Sequence, residues 1–180
     1  MIPSKISFSY LFDLLFALGV CFIFRLPWKF KWNIFNRHSL VALLELICLA
    51  VGSIAAIWYF DIETPFRLVQ DLEWHLILLA PILEELVFRQ TFQRLLIHSV
   101  GGKRVTSMLV AAIFAFSHLI GLKVLPAEYI PFVGFQVFYT FILGLLCGQA
   151  LLRFGSLLAP ITMHFLFNLM FYFALQLEII

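Results

Sequence analysis

Three short clusters place ionisable and polar side chains at helical spacing inside otherwise apolar runs. PILEELVFRQ (81–90) carries Glu84, Glu85 and Arg89, FAFSH carries Phe114 and His118, and MHFLFN carries His164 and Asn168. An ionisable side chain in a transmembrane helix costs about 2.5–3.5 kcal/mol on insertion scales, so each one points to a partner or to a function. Residues four apart share a helix face, whereas neighbours point about 100° apart. Glu85 and Arg89 therefore form an acid–base pair on one face. Glu84 is left on the adjacent face without a local cation, the setting in which a carboxylate can serve as a general base. A second carboxylate sharing Arg89, or a proton-relay acid of a transporter, fits the same spacing about as well. For His118 the plain alternative is a packed, hydrogen-bonded imidazole. For His164 and Asn168 it is interhelical hydrogen bonding, worth about 1 kcal/mol per contact.

Together these groups suit hydrolysis of a peptide bond. That reaction needs a base to activate water, donors to hold the oxyanion and exclusion of bulk solvent. Glu84 with His118 could provide the first, and His164 with Asn168 the second. Equally, Glu84, His118 and His164 could form a three-ligand zinc site with an open position for water. Residue types alone leave both mechanisms open.

The elements that must position these residues are transmembrane helices. Of the 180 residues, 63% are hydrophobic and only 12% charged, against about a quarter charged in a soluble domain. The mean hydropathy is +1.04. A bilayer crossing takes about 20 apolar residues. Pro, Gly and charge clusters divide the chain into six such stretches, at about 7–26, 39–60, 74–97, 105–122, 131–153 and 156–178. Helices satisfy their own backbone in hydrocarbon, and the alternation expected of a membrane barrel is absent. The expected fold is all-α, one polytopic bundle of about six helices over residues 1–180.

The net charge of +2, with no basic stripe, gives no footprint for nucleic acid. Lys and Arg concentrate in cytoplasmic loops of membrane proteins. The first, third and fifth loops hold Arg25, Lys29, Lys31, Arg37, Arg94, Lys103, Arg104 and Arg153, while the other side holds Lys5, Arg67 and Lys123. That side also collects Asp61, Glu63, Asp71, Glu73, Glu128 and Glu178. Both termini are therefore expected outside. Trp28, Trp32, Tyr59, Trp74 and Tyr129 fall near helix ends, as interfacial aromatics do. Cys21, Cys48 and Cys147 lie in apolar stretches without metal-ligand spacing and read as small apolar residues. Asp13 within the run and the lack of a small-x-small cleavage site argue against a removable signal peptide, so the first stretch is taken as the first span. Asp13 and Glu45 are expected to serve structure, and Gly144-x-x-x-Gly148 to pack helices within the bundle. Gln136 and Gln149 are candidates for lining a polar cavity, and His38, His75 and His98 read as helix-end histidines. Counting helical rise places Glu84 and His118 in the outer half or middle of the bilayer, so the site is expected to open outward.

The three motifs in this order, Glu84-Glu85-x-x-x-Arg89, Phe114-x-x-x-His118 and His164-x-x-x-Asn168, together with LLRFGSLLAPITMHFLFN, resemble the CAAX prenyl-protease and bacteriocin-processing family of intramembrane proteases. The resemblance covers about 74–172 and leaves 1–73 as two additional N-terminal helices. It implies a helical-bundle protease with a water-filled cavity, in which Glu84 and His118 activate water, His164 and Asn168 stabilise the oxyanion, and Glu85, Arg89 and Phe114 support the site. The family has been described both as dependent on zinc or another divalent metal and as glutamic-type with no required cofactor, and the glutamic reading is the one adopted as the expectation. The implied substrate is a protein or peptide in the membrane, lipid-modified or C-terminally anchored, such as a C-terminal tail, a sorting signal of the myxosortase-like branch or a peptide precursor. The implied location is the cell membrane of a prokaryote. Alternatives are a non-catalytic immunity or scaffold member of the family, a small transporter, and a haem protein ligated by His118 and His164. No inverted duplication supports a transporter. Haem ligation would not need Glu84, Arg89 or Asn168.

Overall fold

The computed structural model describes residues 3–30, 37–66, 74–99 and 102–180, with side chains omitted at 3–9 and at His98. Lys31, Trp32, Arg67, Asp71 and Glu73 lie outside the described residues, as do the side chains of Lys5 and His98.

Six helices account for the described secondary structure, and each expected span falls within four residues of one of them. They are α1 (Pro3–Ile23), α2 (Arg37–Tyr59), α3 (75–99), α4 (Lys103–Val124), α5 (Ile130–Phe154) and α6 (Leu158–Gln176). Turn chemistry sets several boundaries. Gly155 adopts φ +65, and its N–H returns to Leu151 O at 2.8 Å, closing α5 with a left-handed cap. Pro160 falls in the first turn of α6, where its missing N–H leaves no bond unmade, so the helix is not broken there.

Helices α2, α4, α5 and α6 are each long and apolar enough to cross a membrane. Two of the six expected spans are different. In α1 the apolar stretch is the shorter Tyr10–Ile23. Helix α3 carries Glu84, Glu85, Arg89 and Arg94, more charge than any of the four apolar helices holds in its central turns. Its winding also departs from a regular α-helix: wide π turns at His75–Leu79 and Leu86–Gln93 flank a short α segment, Ala80–Glu85. Such π insertions are concentrated at functional sites.

One apolar core joins α2, α5 and α6 through Leu46, Ile57, Phe132, Leu143, Met163, Phe167 and Phe171. A second joins α1 to α3 and the start of α6 through Ala17, Leu83, Leu86 and Leu157. Helix α5 meets α4 closely through two glycines. A Cβ on Gly144 would stand 3.1 Å from Ala111 Cα and 3.2 Å from the Phe114 ring, and one on Gly148 would overlap Ser107 Oγ. The Gly144-x-x-x-Gly148 pair is thus packing inside the bundle. Phe12, Phe22, Leu44, Trp58, Met108, Phe116, Phe138 and Phe173 are exposed on the outside, as a lipid-facing surface requires. The molecule is an all-helical membrane protein.

Candidate active site

The site begins at the α segment of α3, where adjacent glutamates diverge. Glu85 is fully buried, and its Oε2 lies 2.9 Å from Arg89 Nε, one turn along and equally buried. The i, i+4 pair expected from the sequence is therefore formed. A buried carboxylate without a cation would be far more costly than the paired one. Glu84, on the neighbouring face, keeps 34% of its side chain exposed and lines a cavity of about 160 Å³.

Helix α6 brings His164 to both glutamates. Its Nδ1 lies 3.0 Å from Glu85 Oε1, a buried hydrogen bond in which the ring N–H donates to the carboxylate. Its Nε2 faces Glu84 Oε2 at 3.6 Å, too long for a hydrogen bond, and so remains available to the cavity. Glu85 therefore does more than neutralise Arg89: it also orients His164. The chain of contacts runs Arg89, Glu85, His164. Sequence spacing showed the first link and missed the second, which depends on how α3 and α6 pack.

His118 ends the α-helical part of α4. Its Nδ1 is 3.0 Å from Phe114 O, one turn back. A carbonyl only accepts, so this nitrogen carries the proton, and Nε2 is the acceptor of the corresponding neutral tautomer. The histidine hydrogen-bonded to a carboxylate, that of Glu85, is thus His164, while His118 is held by its own helix and faces the cavity that it and Glu84 both line.

Phe114 ties these parts together. Its ring stands edge to face with His118 (centroids 5.0 Å, 90°) and with His164 (5.7 Å, 79°), and Arg89 Cζ lies 5.4 Å from its centroid. One buried ring contacts two imidazoles and the guanidinium, a cation–π contact added to the ion pair.

Asn168, one turn beyond His164, lines the cavity and donates from Nδ2 to Leu76 O at 2.8 Å. The sequence explains why that carbonyl is free. Ala80 gives its N–H to His75 O, and the next donor along would be residue 81, a proline without an N–H. Asn168 fills the vacancy and keeps its second amide N–H.

The remaining candidates separate clearly. Gln136 lines the cavity, whereas Gln149 is exposed on α5. Glu45 is exposed on α2 and Asp13 is partly buried in α1, and neither borders the cavity. His38 and His75 are exposed, with His75 stacked on Tyr10 (6.4 Å, 9°). Sequence reasoning passed over Tyr139, Thr140, Phe167 and Phe171, which line the cavity beside the polar residues. A signal for two of them existed: Phe167 and Phe171 repeat the four-residue step of His164 and Asn168 and share their helix face.

Among the described residues, no three His, Cys, Asp or Glu side chains are arranged to hold a metal ion. As placed, Glu84, His118 and His164 do not form such a ligand set, while the bond from His164 Nδ1 to Glu85 leaves Nε2 open.

The cavity sits toward one end of the bundle, bordered by the start of α3 (Leu76), the end of α4 (His118), the start of α5 (Gln136) and the end of α6 (Leu175). The opposite end is closed by polar contacts: Gln90 Nε2 donates to Pro27 O (3.1 Å), Leu157 N–H to Lys29 O (2.8 Å), and Gln93 Nε2 to Gly148 O (3.0 Å).

No curated protein and no solved structure matches the chain. Residues 73–170, more than half of the sequence and containing every residue of the three motifs, match the family described as type II CAAX prenyl endopeptidase Rce1-like. The chain belongs to this Rce1-like family of proteases.

Proposed function

We propose that this protein is a multi-pass intramembrane endopeptidase that cleaves a membrane-associated protein or peptide by a glutamic mechanism without a required metal. The observation that carries the reading is the convergence of Glu84, His118, His164 and Asn168, from three helices, on one cavity. Water between Glu84 and His118 loses a proton to this pair, His118 Nε2 being the free acceptor. The hydroxide attacks the scissile carbonyl. The developing oxyanion accepts from His164 Nε2–H and from the second N–H of Asn168, both set before the substrate arrives. Collapse of the tetrahedral intermediate returns the proton to the leaving amine. Glu85, Arg89 and Phe114 hold His164 and do not touch the substrate.

The family name supports a substrate with a prenylated C-terminal tail, and a C-terminal sorting signal or peptide precursor is served by the same chemistry. The distribution of Lys and Arg supports both termini outside a prokaryotic cell membrane, with the cavity toward the outer face. The test is cleavage of a co-reconstituted candidate substrate in proteoliposomes by wild type, Glu84→Ala and His118→Ala. Both variants are expected to be inactive, and undiminished cleavage by either would refute the mechanism.

A further inference from the structure

We infer that a groove at the end of α1, on the side of the bundle opposite the catalytic cavity, binds one anionic phospholipid, its phosphate at Arg25 and Arg94 and an acyl chain along α1. Leu18, Cys21, Phe22, Ile23, Arg25 and Trp28 line this groove. The apolar wall belongs to the apolar stretch Tyr10–Ile23, whereas Arg25 and Trp28 stand just past the end of the helix. From Leu18 to Arg25 the helical rise is about 10 Å. An occupant that meets both ends carries an anionic head and a hydrocarbon tail, in the order in which a membrane lipid presents them.

The turn that closes α1 puts an arginine at the mouth of the groove. Arg25 N–H returns to Phe22 O at 3.3 Å and Leu26 N–H to Cys21 O at 3.0 Å, a cap whose left-handed residue is most often glycine. Here that residue is Arg25, at φ 50 and exposed. A side chain in this conformation is strained where glycine is not, so the turn alone does not account for an arginine. Behind it, Cys21 bonds the Gln90 side chain and lies in the field of Arg94, which brings both α3 residues to the floor of the groove. Among the described residues, Arg94 Nε and Nη2 and the Oε1 of fully buried Gln90 have no hydrogen-bond partner. Guanidinium donors suit phosphate oxygens, and a carboxamide oxygen suits a hydroxyl of the head group.

Charge and size select the occupant. The helix ends and loops on this side, residues 24–38, 93–106 and 149–158, hold eight Lys and Arg and no Asp or Glu. A zwitterionic lipid would bring an ammonium group with no acid to meet it, whereas an anionic lipid brings only charge that the arginines balance. The groove measures about 770 Å³, against about 160 Å³ for the catalytic cavity. That is the scale of a pocket for an organic ligand, about 300–1,000 Å³, and far more than a bare ion fills. An occupied groove braces the end of α1 against α3 beside the bond from Gln90 to Pro27 O, one residue from Arg89.

The test uses the full chain with Trp32, Trp58 and Trp74 replaced by Phe, so that Trp28 alone reports. It is reconstituted in vesicles of phosphatidylcholine and phosphatidylglycerol, with brominated chains on one lipid or the other. Quenching of Trp28 is expected to show phosphatidylglycerol preferred by about tenfold or more. Arg25→Gln and Arg94→Gln should each lower the preference about fivefold, the effect of one charge near the surface. Arg153→Gln, at the same end but on α5, should leave it unchanged. Arg25 is exposed, so its replacement probes the groove without disturbing the packing. An equal fall in all three variants would reveal a diffuse field in place of a site, and equal quenching by both lipids would reveal no selection; either result overturns the proposal. Loss of the preference in inorganic phosphate, but not in sodium chloride of the same ionic strength, would mean that a free anion fills the groove, and overturns the lipid as its occupant.

Discussion

Glu84 and Glu85 are neighbours in sequence and opposites in setting. Glu85 is sealed, with Arg89 on one oxygen and His164 on the other. Glu84 borders the cavity, a third of its side chain exposed, with His164 Nε2 3.6 Å away. The same side chain therefore plays two parts in one helix turn. On the sealed side every charge has a fixed partner, and the assembly acts as a mount. On the cavity side polar atoms are left open to water or substrate. The comparison separates residues whose loss should unfold the site from those whose loss should silence it.

The largest effect is expected on the sealed side. Arg89→Ala leaves Glu85 buried without its cation, a change that destabilises by about 3–5 kcal/mol. Activity should vanish with the fold, and thermal unfolding in detergent measures the loss. Adding Glu85→Gln to Arg89→Ala should recover part of the stability but little activity, because a carboxamide gives His164 no negative charge. Recovery of both would mean that Glu85 does not orient His164. On the cavity side, Glu84→Gln should lower turnover by about 10²–10⁴-fold. Its unfolding transition should move little, since no buried partner is abandoned. A marked fall in stability there would erase the contrast between the two glutamates. Phe114→Leu probes the seam between the sides. It removes the ring from Arg89, His118 and His164 while keeping most of the volume, and should cost about 1–2 kcal/mol of stability. Turnover should fall more than the unfolding transition suggests, because two imidazoles lose their support at once.

Much of the mount was legible in the sequence because its logic is local. Glu85 and Arg89 meet one turn apart on a single helix, and His118 bonds to the carbonyl of Phe114 by the same step. The helices were legible because apolar runs end at Gly155 and at the charged loops. The bond from Glu85 to His164 spans 79 residues and arises from the packing of α3 on α6, which no spacing encodes. The π winding of α3 was hidden for a related reason. Composition marks Pro81 as an irregularity, but which carbonyl it frees depends on where the N–H of Ala80 goes. The aromatic wall was overlooked because phenylalanines in an apolar helix look like core until the cavity beside them is known.

The smallest expected effect sharpens the comparison most, because Asn168 belongs to both sides. One N–H straps α6 to Leu76 O, and the other is the one proposed to meet the oxyanion. Asn168→Ala should cost about 1 kcal/mol of stability, the net worth of one hydrogen bond. It should also lower turnover by about tenfold or more through loss of an oxyanion donor. Pro81→Ala separates the two roles, since it restores an N–H five residues beyond Leu76, within reach in a π-wound turn. In the double variant Pro81→Ala, Asn168→Ala, the freed carbonyl has a partner again, so the unfolding transition should return toward wild type. Turnover should stay low, because a backbone N–H turned into α3 cannot serve the cavity. If turnover recovers along with stability, Asn168 is a strap alone and the oxyanion is left to His164.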